Sequence, residues 1–178
     1  MTNTARRIAF AGSFIALNIV LTRVLGQIVP IAGLPALRLS FGEIPLFLSS
    51  IILGPMYGAI CGALADLLGF PINPQGPYFP GFTLSAALAG FLPGFMGKLV
   101  KKGWTWLSLT IVISITTIII SMILNTLWLS MMFDKAFLVL VPPRIIASLI
   151  MIPIYVIVIK LFLKHFRFII GEPLNESK

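Results

Sequence analysis

Negative charge is scarce in this sequence: five Asp and Glu stand against thirteen Lys and Arg, and charged residues fill only 10% of its 178 positions. A soluble domain carries about 25%, so a conventional solvated surface is excluded. The single cysteine, Cys61, cannot form an intrachain disulfide, and inside an apolar run it reads as a packing residue. One histidine, His165, and the absence of any H-E-x-x-H or G-x-x-x-x-G-K-[ST] string exclude a metalloenzyme and a nucleotide hydrolase, and no cofactor is expected. What is abundant is hydrophobicity, at 58% of positions. The lipid bilayer therefore acts as part of the solvent. The net charge of +8 is spread in short clusters between apolar runs, which argues for a membrane surface rather than nucleic acid.

A crossing of the hydrocarbon core takes about 20 residues, so the chain has room for six spans and little else. The expected fold is an all-α membrane protein of six transmembrane helices in one domain, 1–178. Ile8 to Gly26 forms the first span; behind Arg6 and Arg7 it resembles a signal peptide, but it lacks a small-x-small cleavage pattern and reads as a retained helix. A loop from Gln27 to Leu39 leads to a second span from Phe41 to Leu53, closed by a tight turn at Gly54-Pro55. The remaining spans run from Met56 to Phe70, Gly81 to Val100, Trp104 to Met132 and Pro143 to Phe166.

Cytoplasmic loops carry the excess of Lys and Arg. With both ends inside, Arg6, Arg7, Lys98, Lys101, Lys102, Lys160, Lys164, Arg167 and Lys178 are cytoplasmic, while Arg23, Arg38, Lys135 and Arg144 are outside. The expected topology is N-in and C-in. The longer, more polar and aromatic connections then face outward, and so does the function.

Small residues recur every four positions at Gly54, Gly58 and Gly62 and again at Ala86, Gly90 and Gly94, the spacing by which membrane helices approach closely. These stripes are read as structural. One step further along the first stripe stands Asp66, for which two roles fit: a binding site in its own right, or an ion pair with Arg23 or Arg144. Ala5, Ala9, Gly12, Ser13 and Ala16 make a small-residue face on the first span, suited to docking inside the bundle or against another subunit.

From Phe70 to Phe82, proline at every third position stiffens an outer loop that reads as a lid. Phe70, Tyr78, Phe79 and Phe82, with Asn73 and Gln75, offer stacking and hydrogen-bonding groups for a flat heterocycle; an aromatic belt at the interface is the other reading. Arg23, Arg38 and Arg144 gather towards the outer side, where guanidinium groups either grip carboxylates or snorkel to the interface. Asn125 and Trp128 add an amide and a ring, with an interhelical hydrogen bond as the alternative for Asn125. Phe41 and Glu43, opening the second span, complete the candidate binding set. Glu43 is also the nearest carboxylate partner for Asp66 in an intramembrane enzyme, a rival reading. A membrane scaffold subunit without a ligand is another.

The strings RRIAFAGSFIALNIVLTR, LRLSFGEIPLFLSSIILGPMYGAICGALADLLGF, YFPGFTLSAALAGFLPG and LNTLWL followed by PPR resemble the substrate-binding S components of energy-coupling-factor (ECF) vitamin transporters, and among them the folate-specific type. The resemblance implies capture of a vitamin from outside, in a pocket formed by outer helix ends and loops, in the bacterial cell membrane. It also implies docking on a transmembrane T subunit driven by two cytoplasmic ATPase subunits, so that the chain itself is not an enzyme. An A-x-x-x-A pattern on the first helix contacts the T subunit in that family; Ala5 with Ala9, or Ala9 with Ser13, has that spacing here. Folate suits the residues: a pterin for the aromatic lid, an edge for Asp66, Asn73 or Asn125, and carboxylates for the arginines. Pantothenate or a pyrimidine precursor remains open by shape, whereas cationic thiamin would want more acidic groups.

Overall fold

The structure is a computed structural model that describes residues 3–24, 26–31, 34–74, 76–100, 103–133 and 137–170, with the backbone alone at 3, 27–31, 34–39 and 166–170. Helix α1 (Asn3–Ile19) runs into a π-helical turn, Val20–Val24. The segment expected as a loop is instead an antiparallel hairpin, β1 (Gln27–Ile31) with β2 (Leu34–Leu39), in register Gln27 to Leu39 and Ile28 to Arg38. The ladder becomes irregular between Val29 and Ile31, where Pro30 has no N–H to donate. The chain is thus predominantly helical, with this one hairpin.

Helix α2 (Glu43–Leu53) is buried at every residue after its first. That explains its apolar run: a helix hydrophobic all round belongs in a core. Its 11 residues rise only about 16 Å, roughly half a hydrocarbon core, so it is a central short helix rather than a full-length lipid-facing span. Gly54 ends it with φ 102°, a conformation that favours glycine, and Pro55 opens α3 (Pro55–Ile72) at a position where its missing N–H costs nothing. Helix α3 runs past Pro71, which shortens the expected lid.

Helix α4 (Pro80–Gly97) lies along α3. The two glycine stripes face one another: a Cβ on Gly58 would overlap the Gly90 carbonyl, one on Gly90 the Gly58 carbonyl, and one on Gly62 the backbone of Ala86. The stripe extends to α2, where the Ser50 hydroxyl accepts the Gly94 N–H at 2.8 Å. Gly90→Leu is expected to give no monodisperse protein on size exclusion in detergent, and Gly90→Ala to lower stability by about 1–3 kcal/mol. A well-folded Gly90→Leu protein would mean that these helices can part at no cost.

One continuous helix then spans Trp106–Phe133. It consists of α5 (Trp106–Thr117), a π-helical stretch at Ile118–Leu124 and α6 (Asn125–Phe133). Helix α7 (Phe137–Ile170) begins earlier than expected and carries Pro142 and Pro143 within it, so that Arg144 sits two turns inside the helix rather than opening it. Among the described residues four helices are long and apolar enough to cross a membrane: Thr4–Val24, Pro55–Ile72, Trp106–Phe133 and Phe137–His165. The core centres on α2, whose Phe47 meets the Tyr155 ring edge-on at 5.8 Å.

Candidate ligand cavity

At the end of the bundle carrying the α3–α4 connection, a cavity of about 220 Å³ opens between the helices. Its first wall comes from the α1 π-turn. Widening that turn directs Arg23 inward, and Gly69 on α3 leaves room for it, since a Cβ there would lie 3.1 Å from the Arg23 Nε. Arg23 pairs with Asp66 at 3.0 Å, the two being 8% and 18% exposed. The other Asp66 oxygen accepts the Thr83 hydroxyl at 2.7 Å, and Thr83 in turn meets the Tyr78 hydroxyl at 3.2 Å. Asn73 donates to the Arg23 carbonyl at 2.6 Å, while its own carbonyl accepts the Arg23 guanidinium at 3.3 Å.

Of the two roles open to Asp66, the structure therefore supplies the ion pair with Arg23. Both carboxylate oxygens are engaged. Asn73 braces Arg23 and does not line the cavity.

The aromatic residues of the expected lid form two ring clusters. Tyr78 meets Phe70 edge-on at 5.2 Å, and Phe79 packs against Phe82 at 6.1 Å and Trp128 at 5.7 Å. Phe70, Tyr78, Phe79 and Phe82 line the cavity. Trp128 stands behind them: it covers Gly81, where a Cβ would strike its indole, and its N–H is spent on the Ser85 hydroxyl at 3.0 Å. Gln75 lies outside the described residues.

The far wall is built on the second π-helical stretch. Arg144, 8% exposed, donates to the Ser121 carbonyl at 2.6 Å, and Thr126 donates to the same oxygen at 3.2 Å. A widened turn displaces the regular i to i−4 ladder, and here the Ser121 carbonyl becomes the anchor that holds a buried guanidinium at the cavity. Asn125, directly after the stretch, lines the same wall, as does Glu43 at the start of α2. The three arginines expected at one mouth are not equivalent. Arg23 serves Asp66, Arg144 lies against the π-stretch, and the Arg38 side chain is outside the described residues. Phe41, 41% exposed, stands in the turn before α2 and does not line the cavity.

Sequence reasoning missed several wall residues. Asn18 donates to the Gly42 carbonyl at 2.5 Å, and Tyr155 donates to the Ser40 carbonyl at 2.8 Å across 115 positions of sequence. Asn18, an amide inside the first apolar run, was a legible signal; Ser40, Ser121 and Tyr155 carried none. Among the described residues no group of His, Cys, Asp and Glu is placed to hold a metal ion.

Residues 6–163 match the family described as ECF transporter, substrate-specific component. This chain belongs to the substrate-specific components of ECF transporters. A folate transporter FolT of Clostridium novyi (strain NT) is 40% identical over 147 residues, covering 82% of this chain and 80% of that protein. A folate transporter FolT of Leuconostoc mesenteroides subsp. mesenteroides is 28% identical over 156 residues, covering 85% and 80%. Among solved structures, FolT crystallised with folic acid superposes with a TM-score of 0.75 at 35% identity, over 88% of this chain and 90% of the other. The S component of a bacterial ECF transporter superposes at 0.66 over 92% and 99% of the chains; at 20% identity it speaks for the fold. As an S component with several membrane-capable helices, the chain is a multi-pass membrane protein.

Proposed function

We infer that this S component captures folate in the cavity and delivers it through an ATP-driven partner complex. The observation that carries the reading is the composition of one cavity: the rings of Tyr78, Phe79 and Phe82, suited to a flat heterocycle, share it with the polar groups of Asn125 and Arg144. The likeness to a protein crystallised with folic acid supports the same ligand. The lid residues close over the heterocycle, and Arg144 meets an oxygen of the ligand.

The topology in this reading is N-in and C-in within a bacterial cell membrane, the whole chain acting as one membrane domain. Six crossings result, the second made by the short helix α2. Basic groups remote from the cavity support this orientation: Lys160 donates to the Trp104 carbonyl and lies 6.0 Å from the Trp106 ring centre, as expected at a cytoplasmic interface. ATP hydrolysis belongs to two partner ATPase subunits, and a T subunit docks on α1. Ala5, Ala9, Gly12, Ser13 and Ala16 are all exposed, and a Cβ on Gly12 would meet nothing within 4 Å, which supports docking against another subunit rather than within the bundle.

Uptake of labelled folate by cells that lack their own folate transport tests the reading. Uptake is expected only when the chain is expressed with its T and ATPase partners. Ala9→Trp should leave folate binding intact and abolish uptake. Lost binding with preserved docking would remove α1 from the partner surface, and uptake by the chain alone would remove the partners.

A further inference from the structure

We propose that the Asn125 carboxamide sets ligand specificity in the cavity: its oxygen accepts an N–H from the hydrogen-bonding edge of the bound heterocycle. This rests on the folate-capture reading and deepens it. The Asn125 Oδ1 is buried, and it is the one buried side-chain acceptor lining the cavity that has no hydrogen-bond partner among the described residues. Such an oxygen is costly to leave unmade in a site emptied of water, so it selects a ligand that brings a donor.

The backbone explains how it gets there. The Asn125 N–H bonds to the Ile120 carbonyl, five residues back, which widens the turn and sets Ile120, Ser121, Asn125 and Leu129 along the cavity side of one helix. Several other groups that suit an N–H donor are already engaged. Asp66 holds Arg23 and Thr83, Asn73 holds Arg23, the Ser85 hydroxyl accepts from Trp128, and Glu43 has a partner within the protein. One helical turn from Asn125, the Arg144 guanidinium rests on the Ser121 carbonyl. That places a donor beside an acceptor, the pattern complementary to the C=O and N–H groups of an amino-lactam edge such as that of a pterin. A pyridine ring edge, which has no N–H, would leave the Asn125 oxygen unpaired.

The test compares folic acid with two analogues in the purified full-length protein: 2-desamino folic acid, which lacks the exocyclic amine, and the 4-amino-4-deoxy analogue, which lacks the ring N–H. At least one analogue is expected to bind about 10-fold or more weakly than folic acid. In Asn125→Leu that discrimination should collapse, folic acid weakening while the same analogue does not. Discrimination of equal size in native protein and variant would overturn the proposal, as would native protein that distinguishes neither analogue. If Asn125→Leu does not fold, Asn125→Ala keeps high helix propensity and carries the same comparison. Failure of native protein to bind folic acid at all would instead overturn the folate reading beneath it.

Discussion

Replacing Asp66 with alanine is expected to destabilise the protein by about 3–5 kcal/mol, because it strands the Arg23 guanidinium in a buried site. Exposed ion pairs contribute about 0–1 kcal/mol, so the decision rests on burial: the two side chains are only 8% and 18% exposed. Without Asp66, Arg23 keeps the Asn73 carbonyl at 3.3 Å, a single neutral acceptor for a full charge. The Thr83 hydroxyl loses its acceptor in the same step, and with it the tie to Tyr78 weakens. The damage therefore reaches the α3–α4 connection. Thermal unfolding in detergent measures the loss, and a double-mutant cycle separates pairing from burial. Arg23→Leu combined with Asp66→Leu should be less harmful than Asp66→Ala alone, since no charge is then left behind. A double variant as unstable as the sum of the single ones would show that the pair is not coupled.

The second large effect falls on affinity. Arg144→Ala is expected to weaken folate binding by about 2–5 kcal/mol, roughly 30- to 5,000-fold. The guanidinium is 8% exposed at the cavity wall, and the Ser121 carbonyl fixes its position. Truncation leaves a ligand oxygen desolvated with no cationic donor. Arg144→Lys should recover only part of the loss, because an ammonium keeps the charge but not the planar fork needed to bridge the Ser121 carbonyl and a ligand oxygen. Equilibrium titration with folate gives the affinity and a parallel thermal melt gives the stability. Unchanged affinity with a lowered melting temperature would reduce Arg144 to a brace between α7 and the π-helical stretch.

Much of this organisation is legible in the chain itself, and what is not has identifiable causes. The glycine and alanine stripes on α3 and α4 are visible because close backbone approach admits no larger residue, and the structure sets Gly58 on Gly90 accordingly. The Gly54-Pro55 break is visible because a positive φ and a missing N–H each demand a particular residue type. The hairpin at Gln27–Ile31 and Leu34–Leu39 is hidden because Pro30 and Pro35 interrupt both strands and suggest a loop. The π-helical stretch is hidden for another reason: Ile118–Leu124 is an apolar run that reads the same at any helical period, and only tertiary contact through Arg144 and Thr126 distinguishes it. Of the candidate groups, Asp66 lines the cavity while Asn73 and Trp128 stand behind its wall, and their partners decide what they do. Sequence spacing does not reveal that Arg23 reaches Asp66 or that Trp128 spends its N–H on Ser85.

Calorimetric titration of the detergent-purified chain, without any partner subunit, tests the central claim most directly. Folate is titrated beside pantothenate, thiamin and riboflavin as competitors. The account predicts saturable folate binding that none of the three displaces. Displacement by one of them, or no folate binding by protein whose melting curve shows it folded, would contradict it.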